Sequence, residues 1–298
     1  MQAMILAAGL GTRLQPYSLV KPKPLFPILN TPLLVATIDR LKNAGFNKIT
    51  INCHHLRNLI VEVIDAIPGV IIQQEPLILG TAGGLRLALD HMDNEPILVT
   101  NGDIYHTIDY AGVYEKHKQN EFEVTMVLHD YRRFNVVTRR GDRVLGFDST
   151  QSQDVKWAFT GIQVINPGVL VSIPANEPRC IIEHYRTLIQ KDIPIGSLTV
   201  NDTHWTDMGT PGDYLDLHKR LLGGAVPVWS EICRSKPPSI YIDADASYDK
   251  PVYFNQWACV GSSHVGAHAT ITRSVVWDGA DIPANTKLSD AIVTPDKT

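Results

Sequence analysis

Leu6-Ala7-Ala8-Gly9-Leu10-Gly11-Thr12-Arg13-Leu14 is the stretch that decides the fold, and Lys21-Pro22-Lys23-Pro24-Leu25 follows it closely. The apolar residues 3–7 predict a short buried strand, which ends at the glycines. Glycine lets the backbone approach a phosphate and turn its N–H groups toward it. Arg13 adds a forked cation suited to a pyrophosphate oxygen, and Lys23 adds a compact cation that the flanking prolines hold in position. The stretch therefore predicts a phosphate-binding loop directly after a buried strand.

Two widespread phosphate motifs do not fit this loop. A dinucleotide fingerprint, GxGxxG, requires a third glycine where Leu14 stands, and the P-loop pattern GxxxxGK[ST] does not occur in the chain. Gly9 and Gly11 alone would fit an ordinary surface turn. Their combination with the Lys-Pro-Lys-Pro run favours phosphate binding.

Outward from the loop, residues 3–222 alternate between strand and helix patterns. Strands are predicted at 3–7, 48–52, 70–74 and 96–101, and helices at 31–44, 56–67, 83–92 and 109–119. Shorter strands at 123–129, 135–139, 143–147 and 157–165, with a hairpin turn at Gly141-Asp142, precede helices at about 180–190 and 211–222. This order predicts an α/β fold with a Rossmann-like mixed, mostly parallel sheet, whose ligands bind beyond the carboxyl ends of the strands.

The pattern changes after Gly223-Gly224. From residue 251 onward, apolar residues recur about every six positions, at Val260, Val265, Ile271, Val276 and Ile282. One inward apolar residue per interval predicts a short left-handed β-helix, although a pair of antiparallel hairpins fits the same letters. We therefore expect an α/β domain at 1–222, a linker at 223–250 and the β-helix at 251–298. The β-helix is the expected surface for any homo-oligomer.

The composition narrows the class of partner. The 298 residues include 27 Lys plus Arg and 31 Asp plus Glu, a formal net charge of −4, which argues against a nucleic acid partner held by bulk electrostatics. No apolar run approaches the roughly 20 residues of a membrane span, so no membrane association is expected. The four cysteines show neither CxxC nor zinc-site spacing. Unlinked, mostly buried thiols indicate a reducing compartment, and we expect a cytoplasmic protein.

Two acidic residues from distant segments are the candidate metal ligands. Asp103 follows the predicted strand at 96–101, and the helix predicted after it argues against a hairpin at Asn101-Gly102, so the carboxylate belongs at the strand's carboxyl edge. Asp207 stands just before Thr210-Pro211-Gly212-Asp213, which has the pattern of a helix N-cap followed by proline. Each carboxylate also fits a plain turn or capping role. Together they predict one Mg²⁺ ion bound against phosphate oxygens.

These segments resemble, in the same order, the signature of the sugar-1-phosphate nucleotidylyltransferase family, whose Gly-rich loop wraps a triphosphate. Four further stretches are similar to family segments: Gln74-Glu75 with Leu79–Gly84 to the base-recognition segment, Val99–Asp103 to the metal-binding strand end, Phe159–Ile162 to the sugar-contacting strand, and Trp205–Pro211 to the second metal segment. The resemblance covers about residues 4–211. It implies a glycosyltransferase-A-like fold and an enzyme that joins a nucleoside triphosphate to a sugar 1-phosphate and releases pyrophosphate.

The resemblance also implies roles for individual residues. Arg13, Lys23 and Asp103 are expected to be catalytic, and Asp103 and Asp207 to bind the metal. The nucleotide is expected at Ala7, Ala8, Gly9, Gly11, Thr12, Arg13, Lys23, Gln74, Gly80 and Thr81, and the sugar at Asn101 and Gly161. From the residues alone, Gly80-Thr81 also fits a helix N-terminus, and Gly161 also fits a strand bulge.

One departure from the family concerns the sugar phosphate. Many relatives carry Glu-Lys-Pro after the central strands, whereas residues 146–150 here read Gly-Phe-Asp-Ser-Thr and contain no lysine. Arg179 is a candidate substitute cation, and Glu183 is a candidate partner for a sugar hydroxyl. Both also fit a solvated helix face.

The substrate pair has two readings at this point. Leu79–Gly83 and the C-terminal repeat resemble mannose-1-phosphate guanylyltransferases. The missing lysine, Ile51-Asn52 and His204-Trp205 resemble N-acetylmuramate-1-phosphate uridylyltransferases, which usually lack the repeat. We favour guanylyl transfer.

Other classes of function remain open beside these. A glycosyltransferase would use an Asp-x-Asp run at a central strand end, and the chain has that run only at Asp243-Ala244-Asp245 in the predicted linker. An acyltransferase built on the repeat would use His264 or His268 as its base. A non-catalytic sensor or regulatory subunit would not need the expected site residues, and the presence of the whole set argues against it: Arg13, Lys23, Asp103 and Asp207.

Overall fold

The protein is described here by a computed structural model, which gives the structure of residues 1–147 and 155–295. The chain divides into two compact units. The first, the sheet unit, comprises Met1–Gly9, Arg40–Gly102 and Ile108–Trp205. The second, the coil unit, comprises Leu10–Asp39, Asp103–Thr107 and Thr206–Thr298.

Strands and helices alternate through the first two thirds of the chain, and strands dominate the last third. The strands are β1 (Gln2–Leu6), β2 (Pro27–Ile28), β3 (Thr31–Pro32), β4 (Lys48–Cys53), β5 (Val70–Gln74), β6 (Ile97–Asn101), β7 (Ile104–His106), β8 (Val124–His129), β9 (Asn135–Arg140), β10 (Arg143–Phe147), β11 (Lys156–Ile165), β12 (Ile195–Thr199), β13 (Trp205–Asp207), β14 (Ile240–Ile242), β15 (Ser247–Tyr248), β16 (Tyr253–Val260), β17 (His264–Val265), β18 (Thr270–Val276), β19 (Asp281–Ile282), β20 (Lys287–Ser289) and β21 (Ile292–Val293). The α-helices are α1 (Leu33–Asn43), α2 (Arg57–Ile64), α3 (Gly80–Ala88), α4 (Tyr110–Lys118), α5 (Ile181–Gln190) and α6 (Pro211–Leu222).

The sheet unit is built on one mixed sheet, with strand order β5-β4-β1-β6-β11-β8-β12-β10-β9. β5, β4, β1 and β6 are parallel, and Leu6 is level with Asn52 of β4 and Asn101 of β6. β11 runs antiparallel to β6 and β8, and β9 and β10 form the hairpin predicted at Gly141-Asp142. The prediction of a mixed sheet is confirmed, but the mostly parallel order holds only for the half that contains β1. The reason is that helices connect those strands, whereas short turns such as the one between β9 and β10 join antiparallel neighbours.

The core of the sheet unit follows from the apolar runs of its central strands. β1, β6 and β8 are buried on both faces, so they lack the alternation of a half-exposed sheet. Helices α3 and α5 add Leu85, Tyr185 and Leu188 to the same apolar cluster. The hydroxyl of Tyr185 donates to Gln163 Oε1 at 2.7 Å, so this buried polar group is satisfied. The covered sheet fixes the carboxyl ends of β1, β4 and β6, where ligands bind in such folds.

In the coil unit, the strands from residue 240 onward stack in parallel. β14, β16, β18 and β20 form one sheet, and β15, β17 and β19 form another. We call these stacked strands, from residue 240 onward, the coil. Tyr253 pairs with Thr270 and Thr270 pairs with Lys287, so each turn of the coil advances 17 residues, close to three of the predicted six-residue intervals. Parallel pairing rules out the antiparallel hairpins that also fitted the letters. The recurring apolar residues all lie in the buried core of the coil: Val260, Val265, Ile271, Val276 and Ile282.

The stacking begins earlier than the sequence indicates. β14 and β15 lie inside the predicted linker at 223–250, and they pair in parallel with β16 and β17. Strands of two or three residues carry too little pattern to be predicted alone, and their pairing depends on partners later in the chain. α6 packs against β16 and β18, so the coil and this helix share one core.

The predicted helices are all present, with ends shifted by a few residues. α3 begins at Gly80 rather than at residue 83, and the short strands β7 and β12 were not predicted. The four cysteines are free, with Cys53 and Cys259 buried, Cys233 partly buried and Cys180 exposed. Within residues 1–147 and 155–295, no helix combines the length and the apolar character that a membrane crossing requires.

A buried histidine of α6 makes the stability of the coil unit dependent on pH. His218 is fully buried, its Nδ1 donates to Tyr214 O at 3.0 Å, and its Nε2 accepts from Leu29 N at 3.4 Å. Burial lowers the pKa of His218 from 6.5 to about 4, because the charged ring would lose its hydration. The folded chain therefore holds this ring neutral where the unfolded chain protonates it.

We expect the protein to lose stability as the pH falls from 6.5 to about 4, because the unfolded chain binds a proton that the folded chain excludes. The part of this loss due to His218 is about 3 kcal/mol. His218→Gln keeps a donor and an acceptor but does not titrate, so it should lose less stability over the same window. Urea unfolding of both proteins at about pH 7 and about pH 4.5 measures the difference. Equal losses in the two proteins would contradict the assignment.

Candidate active site

Lys23 joins three distant segments of the coil unit. Its ammonium nitrogen lies 2.8 Å from Asp103 Oδ2 and 3.1 Å from Asp207 Oδ1. The Lys23 side chain is only 7% exposed, against 32% for Asp103 and 14% for Asp207. The two acidic residues singled out from the sequence thus converge on one largely buried cation.

Short elements fix the two carboxylates. Asp103 is the residue before β7, Asp207 is the last residue of β13, and these two strands form a two-stranded sheet. Thr210 caps α6 as predicted, since its hydroxyl accepts from Asp213 N at 3.1 Å and Pro211 opens the helix. Asp207 is therefore held between a paired strand and a capped helix.

Two carboxylates, those of Asp103 and Asp207, share the single ammonium of Lys23. Burial alone would lower the pKa of Lys23, but Asp103 and Asp207 outweigh that effect and raise the pKa above its ordinary value. The ammonium therefore stays protonated between two carboxylates. Arg13 Nη2 lies 3.4 Å from Asp207 Oδ2, but its side chain is 58% exposed, so this ion pair is weak and leaves most of the guanidinium facing solvent.

Two glycines make room for these side chains. Gly11 has a φ of 63°, and a Cβ there would lie 3.1 Å from Ser18 Cβ. A Cβ on Gly209 would lie 2.6 Å from Arg13 Nη1. An added Cβ on Gly9 would meet no atom within 4 Å. The positive φ favours glycine at 11, whereas a Cβ at 209 would force the Arg13 and Asp207 side chains to move. Gly209 has no role assigned from the sequence.

A small open cavity of about 140 Å³ lies beside the cluster. Its lining combines backbone of the glycine-rich stretch with two cations and one carboxylate: Gly11, Thr12, Arg13, Leu14, Lys23, Asp103 and Gly209. Clustered cations and close backbone are the features that bind phosphate groups.

The same carboxylates have the chemistry of a divalent-metal site. The ammonium of Lys23 already occupies a position where one cation contacts oxygens of both Asp103 and Asp207. Among the described residues, no group of three or more His, Cys, Asp or Glu is arranged to hold a metal. A metal bound by these two carboxylates would complete its coordination with water and phosphate oxygens, as Mg²⁺ does in phosphoryl-transfer sites.

In the sheet unit, Asn52 holds the first residue after β1. Ala7 N donates to Asn52 Oδ1 at 2.9 Å, and Asn52 Nδ2 donates to Glu75 Oε1 at 2.8 Å. Glu75 is fully buried and also accepts from Gln73 Nε2 at 3.1 Å and from Leu79 N at 3.3 Å. One buried carboxylate thus ties together the ends of β1, β4 and β5 and the start of α3.

The alternation at the end of β5 separates this network from the predicted nucleotide contact. Gln73 and Glu75 are buried, whereas Gln74 is exposed. From the sequence, Gln74 is the predicted nucleotide contact, Glu75 belongs only to the segment similar to the base-recognition segment, and Asn52 belongs only to a stretch that resembles the uridylyltransferases. Gln73, Gln74 and Glu75 form an unbroken polar run in the sequence, so the letters do not mark which of them are buried.

Asn101 and Gly161 lie together on the neighbouring strands β6 and β11. Gly161 has a φ of 84°, and a Cβ there would lie 2.7 Å from Asn101 Nδ2. The pairing of β11 with β8 shifts register between Phe159 and Gln163, so Gly161 also stands in an irregular part of its strand. The amide of Asn101 therefore packs directly on the backbone of Gly161.

Gly80 opens α3 at a point where another backbone comes close. Its φ is 65°, and a Cβ there would lie 2.7 Å from Arg179 O. The same carbonyl accepts from Ala82 N at 3.0 Å, while Thr81 continues the first turn of the helix. Glycine at this position is thus explained by packing, and the base contact stays a prediction.

The predicted sugar residues fall into two groups. Arg179 pairs with Glu177 at 2.8 Å and lines, with Glu183, a cavity of about 220 Å³. The described lining of that cavity includes neither Asn101 nor Gly161. The stretch 146–150, which departs from Glu-Lys-Pro, lies partly outside the described residues, which stop at 147 and resume at 155.

Comparison with known families decides the class. The family model described as Nucleotidyl transferase matches residues 2–223. The chain belongs to this family. The resemblance first seen in the glycine-rich stretch is thereby confirmed, and nucleotidyl transferases of this kind generally use a divalent metal.

The curated relatives of this nucleotidyl transferase carry consistent names. Mannose-1-phosphate guanylyltransferase of Mycobacterium tuberculosis is 26% identical over 95% of this chain and 81% of its own length. Mannose-1-phosphate guanyltransferase of Schizosaccharomyces pombe is 29% identical over 72% of this chain and 62% of its own length. The chain thus spans less than two thirds of the yeast relative.

Solved structures support the fold of this nucleotidyl transferase. A Bacillus anthracis protein, crystallised with sucrose as a candidate glucose-1-phosphate thymidylyltransferase, has a TM-score of 0.66 at 20% identity and covers 78% of this chain and 98% of its own. HddC from Yersinia pseudotuberculosis, in complex with GMP-PN, has a TM-score of 0.61 at 21% identity and covers 74% and 98% respectively.

Removing the Lys23 ammonium should strengthen metal binding in the absence of nucleotide. Lys23→Met leaves Asp103 and Asp207 without their shared cation, so a divalent ion meets less competing positive charge. We expect the affinity for Mn²⁺, measured by electron paramagnetic resonance titration of free Mn²⁺, to rise about tenfold. Lys48→Met is the matched control, because Lys48 also pairs with an aspartate, Asp93, at 2.8 Å.

The control variant should bind Mn²⁺ as the wild type does. If Lys23→Met binds no more tightly than Lys48→Met, the two carboxylates are not the metal ligands of the nucleotide-free protein.

Proposed function

We propose that this nucleotidyl transferase is a sugar-1-phosphate nucleotidylyltransferase, which converts a nucleoside triphosphate and a sugar 1-phosphate into a nucleotide sugar and pyrophosphate. The observation that carries the proposal is the convergence of Lys23, Asp103 and Asp207 beside a cavity lined by the glycine-rich stretch. A site with cations for phosphates and paired carboxylates for a metal suits phosphoryl-group chemistry.

The residues of this chain would act by binding and charge neutralisation. A phosphate oxygen of the sugar 1-phosphate attacks the α-phosphorus in line, and pyrophosphate leaves. That nucleophile is already anionic, so no general base and no covalent protein intermediate are needed. Lys23 and Arg13 are assigned to the triphosphate oxygens, with Gly11 and Thr12 offering their backbone. Neutralising these oxygens lowers the repulsion between two anionic substrates.

Asp103 and Asp207 are assigned to the metal, proposed to be Mg²⁺. When bound, the metal supplies charge that stabilises the phosphate oxygens of both substrates. Lys23 must release at least one carboxylate for this, and a triphosphate oxygen is the anion that replaces it. Binding of nucleotide and binding of metal are therefore expected to favour each other.

The substrate pair proposed first is GTP with mannose 1-phosphate. Its support is the function that names the Mycobacterium tuberculosis and Schizosaccharomyces pombe relatives, together with the coil that follows the α/β part. Uridylyl transfer to N-acetylmuramate 1-phosphate or another hexose 1-phosphate is the alternative. Gln74, Gly80 and Thr81 are assigned to the base, and Asn101 and Gly161 to the sugar. Arg179 and Glu183 stay candidates for the sugar phosphate and a hydroxyl.

The other classes have weaker support. Asp243 and Asp245 form a tight turn in the coil unit, since Asp245 N donates to Asp243 Oδ1 at 3.0 Å, so this run has the local role of a turn rather than a strand-end metal site. His264 is largely exposed and contacts Ser247 and Asp249 on the coil surface. A regulatory subunit would not require Lys23 to be held by two carboxylates.

Three further properties belong to the same proposal: the handedness of the coil, self-association and location in the cell. The parallel turns of the coil are proposed to be a left-handed β-helix, which with 1–222 gives a catalytic domain and an appended domain. Self-association through the coil and a cytoplasmic location are also proposed. The location is supported by four free thiols.

A panel of triphosphates against several sugar 1-phosphates, read by pyrophosphate release with Mg²⁺, tests the function. We expect GTP with mannose 1-phosphate to give the highest kcat/KM. Asp103→Asn should lower kcat by a factor of about 10²–10³, because a carboxylate that binds the metal is lost. Asp93→Asn is the matched control, since Asp93 also pairs with a lysine at 2.8 Å.

The control should keep wild-type turnover. Turnover of Asp103→Asn equal to that of Asp93→Asn at limiting Mg²⁺ would remove the metal role, and no pyrophosphate with any pair would remove the proposed function.

A further inference from the structure

The C-terminal coil contacts the short segment that carries Lys23. Trp277, the residue after β18, is 1% exposed, and its ring centroid lies 4.7 Å from that of Phe26 in an edge arrangement. Lys21 Nζ lies 5.4 Å from the centroid of the same indole. Trp277 therefore packs against residues on both sides of Lys23 in the sequence.

Hydrogen bonds connect the indole to the same segment. Trp277 Nε1 donates to Tyr214 Oη at 3.1 Å, and this hydroxyl donates to Pro27 O at 2.5 Å. Tyr214 is fully buried, and its ring centroid lies 5.7 Å from that of Phe26. Because Tyr214 is buried away from solvent, loss of the indole N–H would leave its hydroxyl with only the bond to Pro27.

The backbone transmits the position of Phe26 to Lys23. Phe26 N donates to Lys23 O at 3.0 Å, and Leu25 N donates to Pro22 O at 2.8 Å, which closes the turn at Lys23–Leu25. Prolines on both sides of Lys23 fix two φ angles. Phe26 and Lys23 thus belong to one rigid turn, and the contacts that seat the phenyl ring also seat the ammonium.

Trp277 is itself held by stacked turns of the coil. Its backbone N–H donates to Val293 O at 2.8 Å on the next turn. On the preceding turn, Gly261 approaches so closely that a Cβ there would lie 3.2 Å from the Trp277 carbonyl carbon. The position of the indole is therefore set by the coil as a whole.

We propose that Trp277 is a positioning residue for Lys23, so that the C-terminal coil is part of the device that binds the triphosphate. This inference rests on the proposed function of Lys23. The Lys23 ammonium is the group that contacts the triphosphate. Trp277 acts on it indirectly, through Phe26 and Tyr214. Small displacements matter, because a catalytic charge misplaced by about 1 Å loses a large part of its effect on rate.

Steady-state kinetics of Trp277→Phe test the inference. The smaller ring loses the bond to Tyr214 and part of the contact with Phe26. We expect KM for the triphosphate to rise about tenfold while KM for the sugar 1-phosphate stays unchanged. Partial unfolding would lower kcat and leave both KM values unchanged, so this split separates positioning from a merely structural role.

Trp257→Phe is the matched control. Trp257 lies in the same coil and the same apolar cluster, but its indole N–H meets no acceptor among the described residues. The control should leave both KM values at the wild-type level. An equal rise in triphosphate KM for both variants would overturn the inference.

A double-mutant cycle with Lys23→Met tests whether the effect passes through the ammonium. If Trp277 acts through Lys23, Trp277→Phe should change kcat/KM of Lys23→Met by less than about twofold. If the two substitutions multiply independently, the inference is wrong. Should Trp277→Phe fail to fold, Tyr214→Phe replaces it in the cycle, because it removes the hydroxyl that joins Trp277 to Pro27 and keeps the ring.

The outcomes also separate this inference from the function on which it rests. A wild type that releases no pyrophosphate overturns both. An active wild type with independent effects in the cycle overturns the positioning role alone.

Discussion

The buried ammonium of Lys23, shared by Asp103 and Asp207, is the interaction on which the rest of the coil unit depends. It joins Lys23 to Asp103, 80 positions later in the chain, and to Asp207, 184 positions later. A buried ion pair that loses one partner costs about 3–5 kcal/mol, because the remaining charge stays poorly hydrated. The cluster also carries one carboxylate more than its single buried cation neutralises, which is the electrostatic condition for accepting a second cation. The same three side chains therefore give both a folding constraint and a candidate active site.

The coil participates in this constraint through aromatic packing. Phe26, Tyr214 and Trp277 form edge contacts in the core that also contains Leu14 and Met208, on either side of the charged cluster in sequence. Apolar burial of this kind is non-directional, but the hydrogen bond from the indole to Tyr214 gives it one preferred geometry. A repeat that reads in the sequence as a separate appendage thus shares its core with the glycine-rich stretch.

The sequence was sufficient for the parts of the protein that are set by local pattern. The glycine-rich stretch, the Thr210 cap and the apolar interval of the coil each follow from a few adjacent residues, and the helices were found within a few residues of their ends. Contacts between distant segments were not predictable. Nothing in the letters marks Glu75 as the buried acceptor for Asn52, or Gly209 as the space for Arg13, because each role exists only once the chain has folded. Arg179 and Glu183 were chosen by type, and the structure puts them in a cavity whose described lining lacks Asn101 and Gly161.

The most direct test is a crystal structure with Mn²⁺ and a non-hydrolysable GTP analogue, with the metal located by its anomalous scattering. The account predicts one Mn²⁺ ion bound by Asp103 and Asp207, with the Lys23 ammonium moved onto a triphosphate oxygen. A nucleotide bound while Lys23 keeps both carboxylates, with Mn²⁺ elsewhere, would contradict it.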